Sequence, residues 1–238
     1  MHGSDAMKVR GAGRAGGDDA GPDADELPPD RTQAILEAAK EVAALLKAGE
    51  HPFALAGGVA AYAHGGPATL QHDVDFCVLP EDAEAVAATL RKAGLEVFQP
   101  PEDWLLKARC RGQHIDLIFQ MARAPVSREL LNGAEELMVE SVRMPVLTAT
   151  DLLLGRLKAF SEHHCDFSAV LPIARTLREK IDWSRIRREC GDEPMPDAFL
   201  YLLERLHVIE PEKVIDPETV IEPETVIEPE EDSHGDRT

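Results

Sequence analysis

The chain has 238 residues and a formal net charge of −19 at neutral pH, a length that suits one domain with appendages. Such an acidic balance argues against broad, unspecific binding of nucleic acid, which depends on neutralising phosphates with Lys and Arg. The apolar runs are too short to span a membrane, and the N-terminus lacks the apolar region of a signal peptide. We therefore expect a cytoplasmic protein that makes no membrane contact.

Cysteine usage points to the same compartment. The four cysteines, Cys77, Cys110, Cys165 and Cys190, are widely spaced, and no Cys-x-x-Cys pair occurs. This spacing disfavours a zinc site or a disulfide framework, whereas reduced thiols in a core fit a cytosolic protein.

The N-terminal segment, residues 1–29, is predicted to be disordered. It is rich in Gly, Ala and Asp, ends in two prolines and has no apolar period. Asp30 then provides a cap for a helix over 32–48, whose apolar residues recur at helical spacing.

An α/β core is predicted over residues 30–148, because apolar runs of strand length alternate there with helical periods. After a strand at 53–56, the Gly57-Gly58 turn leads into a short helix from about Val59 to His64. Further strands are predicted near 73–79, 95–98, 104–110, 114–120 and within 136–147, with a helix from Pro80 to about Ala93. Gly112 lies between two of these strands, which predicts a hairpin.

A helical half is predicted over residues 149–207. Apolar residues recur at helical spacing in four segments, 150–163, 166–180, 183–190 and 196–207. The basic residues between 175 and 188 could form a local basic groove. The alternative is an ordinary solvated helix face.

The tail, residues 208–238, repeats a six-residue unit that begins with Val-Ile and contains a proline. A proline in every unit prevents a continuous helix and cannot donate a hydrogen bond in a central strand. Hexad repeats can also form a β-helix, but four short units bury little surface. We therefore predict a disordered, acidic tail that is dispensable for folding and chemistry, and whose charge suits a basic partner.

Three carboxylates, Asp73, Asp75 and Asp116, lie in apolar stretches that read as strands. Because side chains alternate along a strand, Asp73 and Asp75 point to the same face. Two like charges near a core are costly unless a cation lies between them, and Mg²⁺ takes carboxylate oxygens of this kind. With Asp116 from another strand, the set predicts a site for two metal ions that suits phosphoryl or nucleotidyl transfer. The alternative is an edge-strand pair of acids facing solvent.

Gly57 and Gly58 lie between a predicted strand and a predicted helix. Without a Cβ, their backbone can approach a triphosphate closely, and the amides at a helix N-terminus can bind its oxygens. The alternative is a tight turn without a ligand.

Together these residues resemble the signature of the nucleotidyltransferase superfamily, which includes polymerase beta and CCA-adding enzymes. In that signature a Gly-Gly or Gly-Ser turn precedes an acid-apolar-acid strand, and a later acid lies on a neighbouring strand. The string from Leu55 to Val78 is most similar to small bacterial aminoglycoside and lincosamide nucleotidyltransferases and to the AbiEii abortive-infection toxins. The resemblance implies a nucleotidyltransferase-like mixed sheet flanked by helices and followed by a helical half.

The resemblance also implies an activity, the Mg²⁺-dependent transfer of a nucleoside monophosphate from an NTP to a hydroxyl. Asp73, Asp75 and Asp116 would ligate two Mg²⁺ ions, and Asp116 would also deprotonate the attacking hydroxyl. The Gly-Gly turn and Lys158 would contact the triphosphate, although a surface lysine is an equal alternative for Lys158. A small molecule, a tRNA end and a protein side chain all stay open as the acceptor.

Two departures from the family pattern keep a second class of function open. Relatives often carry an arginine shortly before the acid pair, and residues 68–72 contain none. An Arg/Lys-Asp step that is common in the helical half of relatives is replaced by Cys165-Asp166. The alternative function is a non-catalytic module that keeps the fold and binds a nucleotide or a partner.

Overall fold

A computed structural model of the chain describes residues 31–66, 73–122 and 124–211. The predicted fold class is confirmed there, because a mixed sheet is flanked by helices and followed by further helices. The predictions for residues 1–29, for the Asp30 cap and for the tail beyond Pro211 lie outside the described residues. None of the described helices has the length and apolar character that a membrane span requires.

The first part of the chain alternates helices with strands. Its elements are α1 (Arg31–Ala48), β1 (Phe53–Ala56), α2 (Gly57–Ala63), β2 (Val74–Val78), α3 (Ala83–Lys92), β3 (Glu96–Phe98), β4 (Leu105–Cys110), β5 (Gln113–Ile118), β6 (Gln120–Met121), β7 (Ala124–Pro125), α4 (Arg128–Asn132), β8 (Glu135–Val139) and β9 (Val142–Val146). Four longer helices follow, namely α5 (Ala149–Lys158), α6 (Phe167–Thr176), α7 (Trp183–Cys190) and α8 (Pro194–Arg205).

Seven of the described strands form one sheet in the order β3-β4-β5-β2-β1-β9-β8. The pairs β2–β5 and β1–β9 are parallel, and the other pairs are antiparallel. The sheet therefore places β2 beside β5 near its centre, although 34 residues of sequence separate Val78 from Gln113. This pairing brings the predicted acids of the two strands together.

The sheet is held by an apolar core that the sequence pattern explains. All four residues of β1 are buried, and β2 buries Val74, Phe76, Cys77 and Val78 while Asp75 stays partly exposed. The Phe53 and Phe76 rings meet edge to face, with 5.7 Å between their centroids. One stripe of α1 packs on this core through Ile35, Leu36, Ala38, Ala39, Val42, Ala43 and Leu46.

The helical half has a second apolar cluster, built around the Phe199 ring and contributed by all four long helices. Ala61 of α2 also belongs to it, so α2 joins the sheet to the helices. Thr148, Asp166 and Asp182 cap α5, α6 and α7 by accepting hydrogen bonds from backbone amides. The helix α5 ends at Lys158, five residues before its predicted end.

The start of the tail differs from the prediction. Val208 and Ile209 are only 9% and 8% exposed and belong to the second apolar cluster. Arg187 donates a hydrogen bond to the backbone oxygen of Glu210 at 2.7 Å. The first Val-Ile pair therefore packs on an apolar surface of the helical half.

Candidate active site

Parallel pairing of β2 and β5 sets Asp75 and Asp116 side by side as register partners. Asp73 directly precedes β2, two residues before Asp75. The Asp116 side chain is 13% exposed and the Asp73 side chain 36%. Two predicted acids are thus neighbours across the sheet, and the third lies at the end of the same strand pair.

A lysine that sequence reasoning missed lies between two of these acids. Lys107 of β4 is the antiparallel register partner of Asp116. Its Nζ donates to Asp116 Oδ1 at 2.8 Å and to Oδ2 at 3.0 Å, and lies 3.5 Å from Asp73 Oδ2. The predicted hairpin around Gly112 could have identified this lysine, because its antiparallel register pairs residue 107 with residue 116.

These contacts shift the proton affinity of both partners. Burial opposes the charge of Lys107, but the hydrogen bond to Asp116 and the charge of Asp73 raise its pKa. Burial raises the pKa of Asp116, and the Lys107 ammonium partly offsets that shift. Lys107 therefore stays protonated at neutral pH and is the counter-ion of Asp116.

Asp75 has a different environment. Burial, followed by the negative charge of Asp116, raises its pKa to about 7, while Arg156 and Lys107 partly offset the shift. Lys107 makes its short contacts with the other two acids and not with Asp75. Asp75 is therefore the member of the set that most needs a further cation.

The Gly-Gly pair begins α2 instead of forming a turn before it. Gly57 has φ +63°, and an ideal Cβ on it would lie 1.7 Å from Asp75 Oδ2. Position 57 therefore requires glycine, because the backbone is left-handed there and the Asp75 carboxylate approaches closely. Gly58 is the second residue of α2 and is half-buried.

A second cation faces Asp75 from the helical half. Arg156 lies on α5, where burial lowers the pKa of its guanidinium and the charge of Asp75 opposes that shift. Within the described ranges, no carboxylate lies at ion-pair distance from Arg156. A half-buried guanidinium without a direct ion pair is available to bind an anion.

Lys158, the predicted triphosphate contact, lies two residues further along α5 and is engaged elsewhere. Its Nζ donates to Glu189 of α7 at 2.8 Å. Glu189 also accepts from Arg185, which in turn pairs with Asp151 at 2.8 Å. The Lys158 side chain therefore helps to hold α5 against α7, and its contact with a triphosphate stays a prediction.

Arg156 also lines a cavity of about 600 Å³ at the end of α5. The other lining residues come from the end of α5, from the turn that follows it and from α6, namely Ala159, Phe160, His163, His164, Cys165, Asp166, Ala169 and Val170. A larger cavity of about 1250 Å³ lies against α7 and α8. Among its lining residues in the described part of the chain, none is a predicted site residue.

The acids fit a divalent cation by their chemistry, since hard cations take carboxylate oxygens. With Lys107 between them, the acids do not form a complete set of metal ligands. The described residues contain no group of three or more His, Cys, Asp or Glu side chains placed to hold a metal ion. Asp75, whose raised pKa reflects burial beside a like charge, supplies the reason for a cation to bind.

Comparisons with known proteins give likenesses of fold. No family model matches the chain, and no curated protein matches it significantly. The chain is similar to two solved structures of the antibiotic-resistance factor ANT(2″)-Ia, an aminoglycoside nucleotidyltransferase. One is a solution structure with 17% identity and a TM-score of 0.49, covering 75% of this chain and 96% of that one. The other, a crystal structure with adenylyl-2″-tobramycin, has 16% identity and a TM-score of 0.49, and covers 72% and 98%. At these values neither likeness decides an activity or a substrate for this chain.

Proposed function

We propose that the protein is a metal-dependent nucleotidyltransferase that moves a nucleoside monophosphate from an NTP to a hydroxyl acceptor. The observation that carries this proposal is the register pairing of Asp75 with Asp116 across parallel strands. That pairing gathers acids from two distant parts of the chain beside a glycine, Gly57, whose lack of a side chain the site requires. Buried like charges are costly, and a role in holding a cation explains why they are kept.

The triphosphate would bind between the start of α2 and the face of α5. Gly57 and Gly58 leave the backbone open to an approaching phosphate. Arg156 offers a guanidinium that has no ion pair within the described residues, and a fork of donors suits phosphate oxygens. Lys158 is the further predicted contact and would have to leave Glu189 to reach the phosphates.

The reaction balances without a redox step. The acceptor oxygen attacks the α-phosphorus, the bond from that phosphorus to the oxygen bridging to the β-phosphate breaks, and pyrophosphate leaves. Asp116, which the Lys107 ammonium holds in place, takes the proton of the attacking hydroxyl. Mg²⁺ held by Asp73, Asp75 and Asp116 would, when bound, neutralise charge on the triphosphate and activate the acceptor.

For the acceptor, the cavity beside Arg156 favours a small molecule over a tRNA end or a protein side chain. Its volume of about 600 Å³ lies within the usual range for small-molecule sites, roughly 300–1,000 Å³. Arg156 lines the cavity and also acts electrostatically on Asp75, which supports an acceptor site near the acids.

The second candidate is a non-catalytic module that binds a nucleotide. The specific observation in its favour is Lys107, which already supplies one positive charge to the acids. A binding module would keep the fold and bind NTP while leaving it intact.

The experiment that separates the two is incubation of the full chain with Mg²⁺, cell extract and each NTP, labelled in parallel at the α- or the γ-phosphate. Nucleotidyl transfer gives a product labelled from the α-phosphate and none labelled from the γ-phosphate. Binding of NTP with no α-labelled product in any extract would establish the non-catalytic module.

A further inference from the structure

Lys107 is held in the site by more than its ion pairs. Its strand, β4, is paired on both sides, with Phe98 of β3 and with Asp116 of β5 as its register partners. The side chain is 25% exposed, so part of its stem is covered. The two neighbouring strands fix its backbone, and its ammonium donates to both oxygens of Asp116.

The ammonium lies between Asp73 and Asp116, where a metal ion shared by these two acids would lie. Both Asp116 oxygens accept from Lys107, and one Asp73 oxygen faces the same nitrogen at 3.5 Å. A divalent ion between these two carboxylates would lie against the positive charge of this ammonium, which repels it.

We propose that Lys107 substitutes for one of the two cations, so that this chain binds a single divalent ion, ligated by Asp75 together with Asp73. The inference rests on the proposed function and makes it more specific, since it turns a predicted two-metal site into a site for one metal ion and one lysine. Lys107 is a positioning residue in this arrangement, because it acts on the reaction through Asp116.

The test measures how many Mn²⁺ ions the full chain binds. Calorimetry and the electron paramagnetic resonance signal of the free ion both give this stoichiometry. The unmodified chain is expected to bind one Mn²⁺. Lys107→Met removes the ammonium and is expected to bind two, with the affinity for the second ion raised at least about tenfold. Lys107→Arg keeps the charge and is expected to bind one.

Lys40→Met is the matched control. Lys40 also bridges two carboxylates, with Nζ 2.6 Å from Glu37 and 2.7 Å from Glu140, but it lies on α1 away from the acids of the site. Its loss removes the same charge and is expected to leave one Mn²⁺ bound. Circular dichroism confirms that each variant is folded, and Lys107→Gln replaces Lys107→Met should the latter unfold.

Two Mn²⁺ ions bound by the unmodified chain, or one bound by both Lys107→Met and Lys107→Gln, would overturn the inference. The readout needs no NTP and no acceptor. A chain that binds one Mn²⁺ but transfers no nucleotide would therefore refute the proposed function while leaving the role of Lys107 standing.

Discussion

The Asp75 carboxylate fills the space that a side chain on Gly57 would occupy. An ideal Cβ on Gly57 would lie 1.7 Å from Asp75 Oδ2, and Gly57 itself has φ +63°. Gly57 begins α2 directly after β1, the strand that pairs with β2, and the last β1 residue, Ala56, is the register partner of Asp75. The start of the helix and the position of the acid therefore depend on each other. A glycine that the sequence assigns to phosphate binding is thus also a packing partner of the central acid.

Gly57→Ala should therefore destabilise the protein and displace Asp75. A left-handed conformation costs a non-glycine residue roughly 1–2 kcal/mol, and the clash with Asp75 adds to it. Gly112→Ala is the control, because Gly112 has φ +72° with no atom within 4 Å of an added Cβ. Urea unfolding should show a larger loss of unfolding free energy for Gly57→Ala than for Gly112→Ala. Equal losses would show that Asp75 does not crowd Gly57.

Asp75 should make stability depend on pH when no divalent cation is present. Because its pKa is raised to about 7 in the folded state, folding favours the protonated acid. The folded state should therefore lose stability as the pH rises from about 4 to about 7, on the order of 2–4 kcal/mol.

Asp75→Asn should remove this contribution, so that the variant is more stable than the parent at pH 8 and differs less from it at pH 4. Urea unfolding across pH 4–8 in a chelating buffer measures the effect. A parent chain whose stability rises across this range by the same amount as the variant would rule out a raised pKa at Asp75. In transfer assays Asp75→Asn should be inactive, since an amide lacks the charge that holds a cation.

Arg156 and Lys158 give a paired test of the triphosphate contact. Arg156 has no ion pair within the described residues, whereas Lys158 is bound to Glu189 at 2.8 Å. Arg156→Met should weaken NTP binding by about tenfold or more, as expected for the loss of one charge-assisted contact of roughly 1.5–3 kcal/mol. Lys158→Met should weaken it less and should lower the melting temperature through the loss of the contact with α7. Isothermal titration with NTP measures both affinities. A larger loss of affinity for Lys158→Met than for Arg156→Met would show that Lys158 is the main triphosphate contact.

The start of the tail predicts different results for two truncations. A chain ending at Pro211 keeps the buried Val208 and Ile209 and should melt like the full chain. A chain ending at His207 loses that burial, a contribution of roughly 1.5–3 kcal/mol for each fully buried side chain, and should melt several degrees lower. Equal melting temperatures for all three chains would mean that the Val-Ile pair contributes nothing to the fold.

The sequence could predict most elements of the fold because their signals are local. Helical spacing in α1 and apolar runs in β1 and β2 need no knowledge of the rest of the chain. The parallel register that joins Asp75 to Asp116 is a long-range property, and the resemblance supplied it where the pattern of residues could not.

What the sequence did not reveal depends on neighbours in space. Lys107 looks like any strand lysine until the hairpin register sets it opposite Asp116. Arg156 and Lys158 are two basic residues of the same predicted helix, and the packing of α7 distinguishes them because Glu189 binds the lysine. Val208 and Ile209 carry the same repeat as the rest of the tail, and an apolar surface on the helical half buries this first pair.

Nucleotidyl transfer is tested most directly by the mass of the product that the full chain forms from an NTP and its acceptor. Fractionated extract, Mg²⁺ and α-labelled NTP should yield an acceptor heavier by one nucleoside monophosphate, together with pyrophosphate. Asp116→Asn should form none of it, and Asp197→Asn, an exposed acid on α8, should form as much as the parent. An equal amount of product formed by Asp116→Asn would rule out the role of Asp116, and an NTP that is bound but recovered intact in every fraction would rule out nucleotidyl transfer.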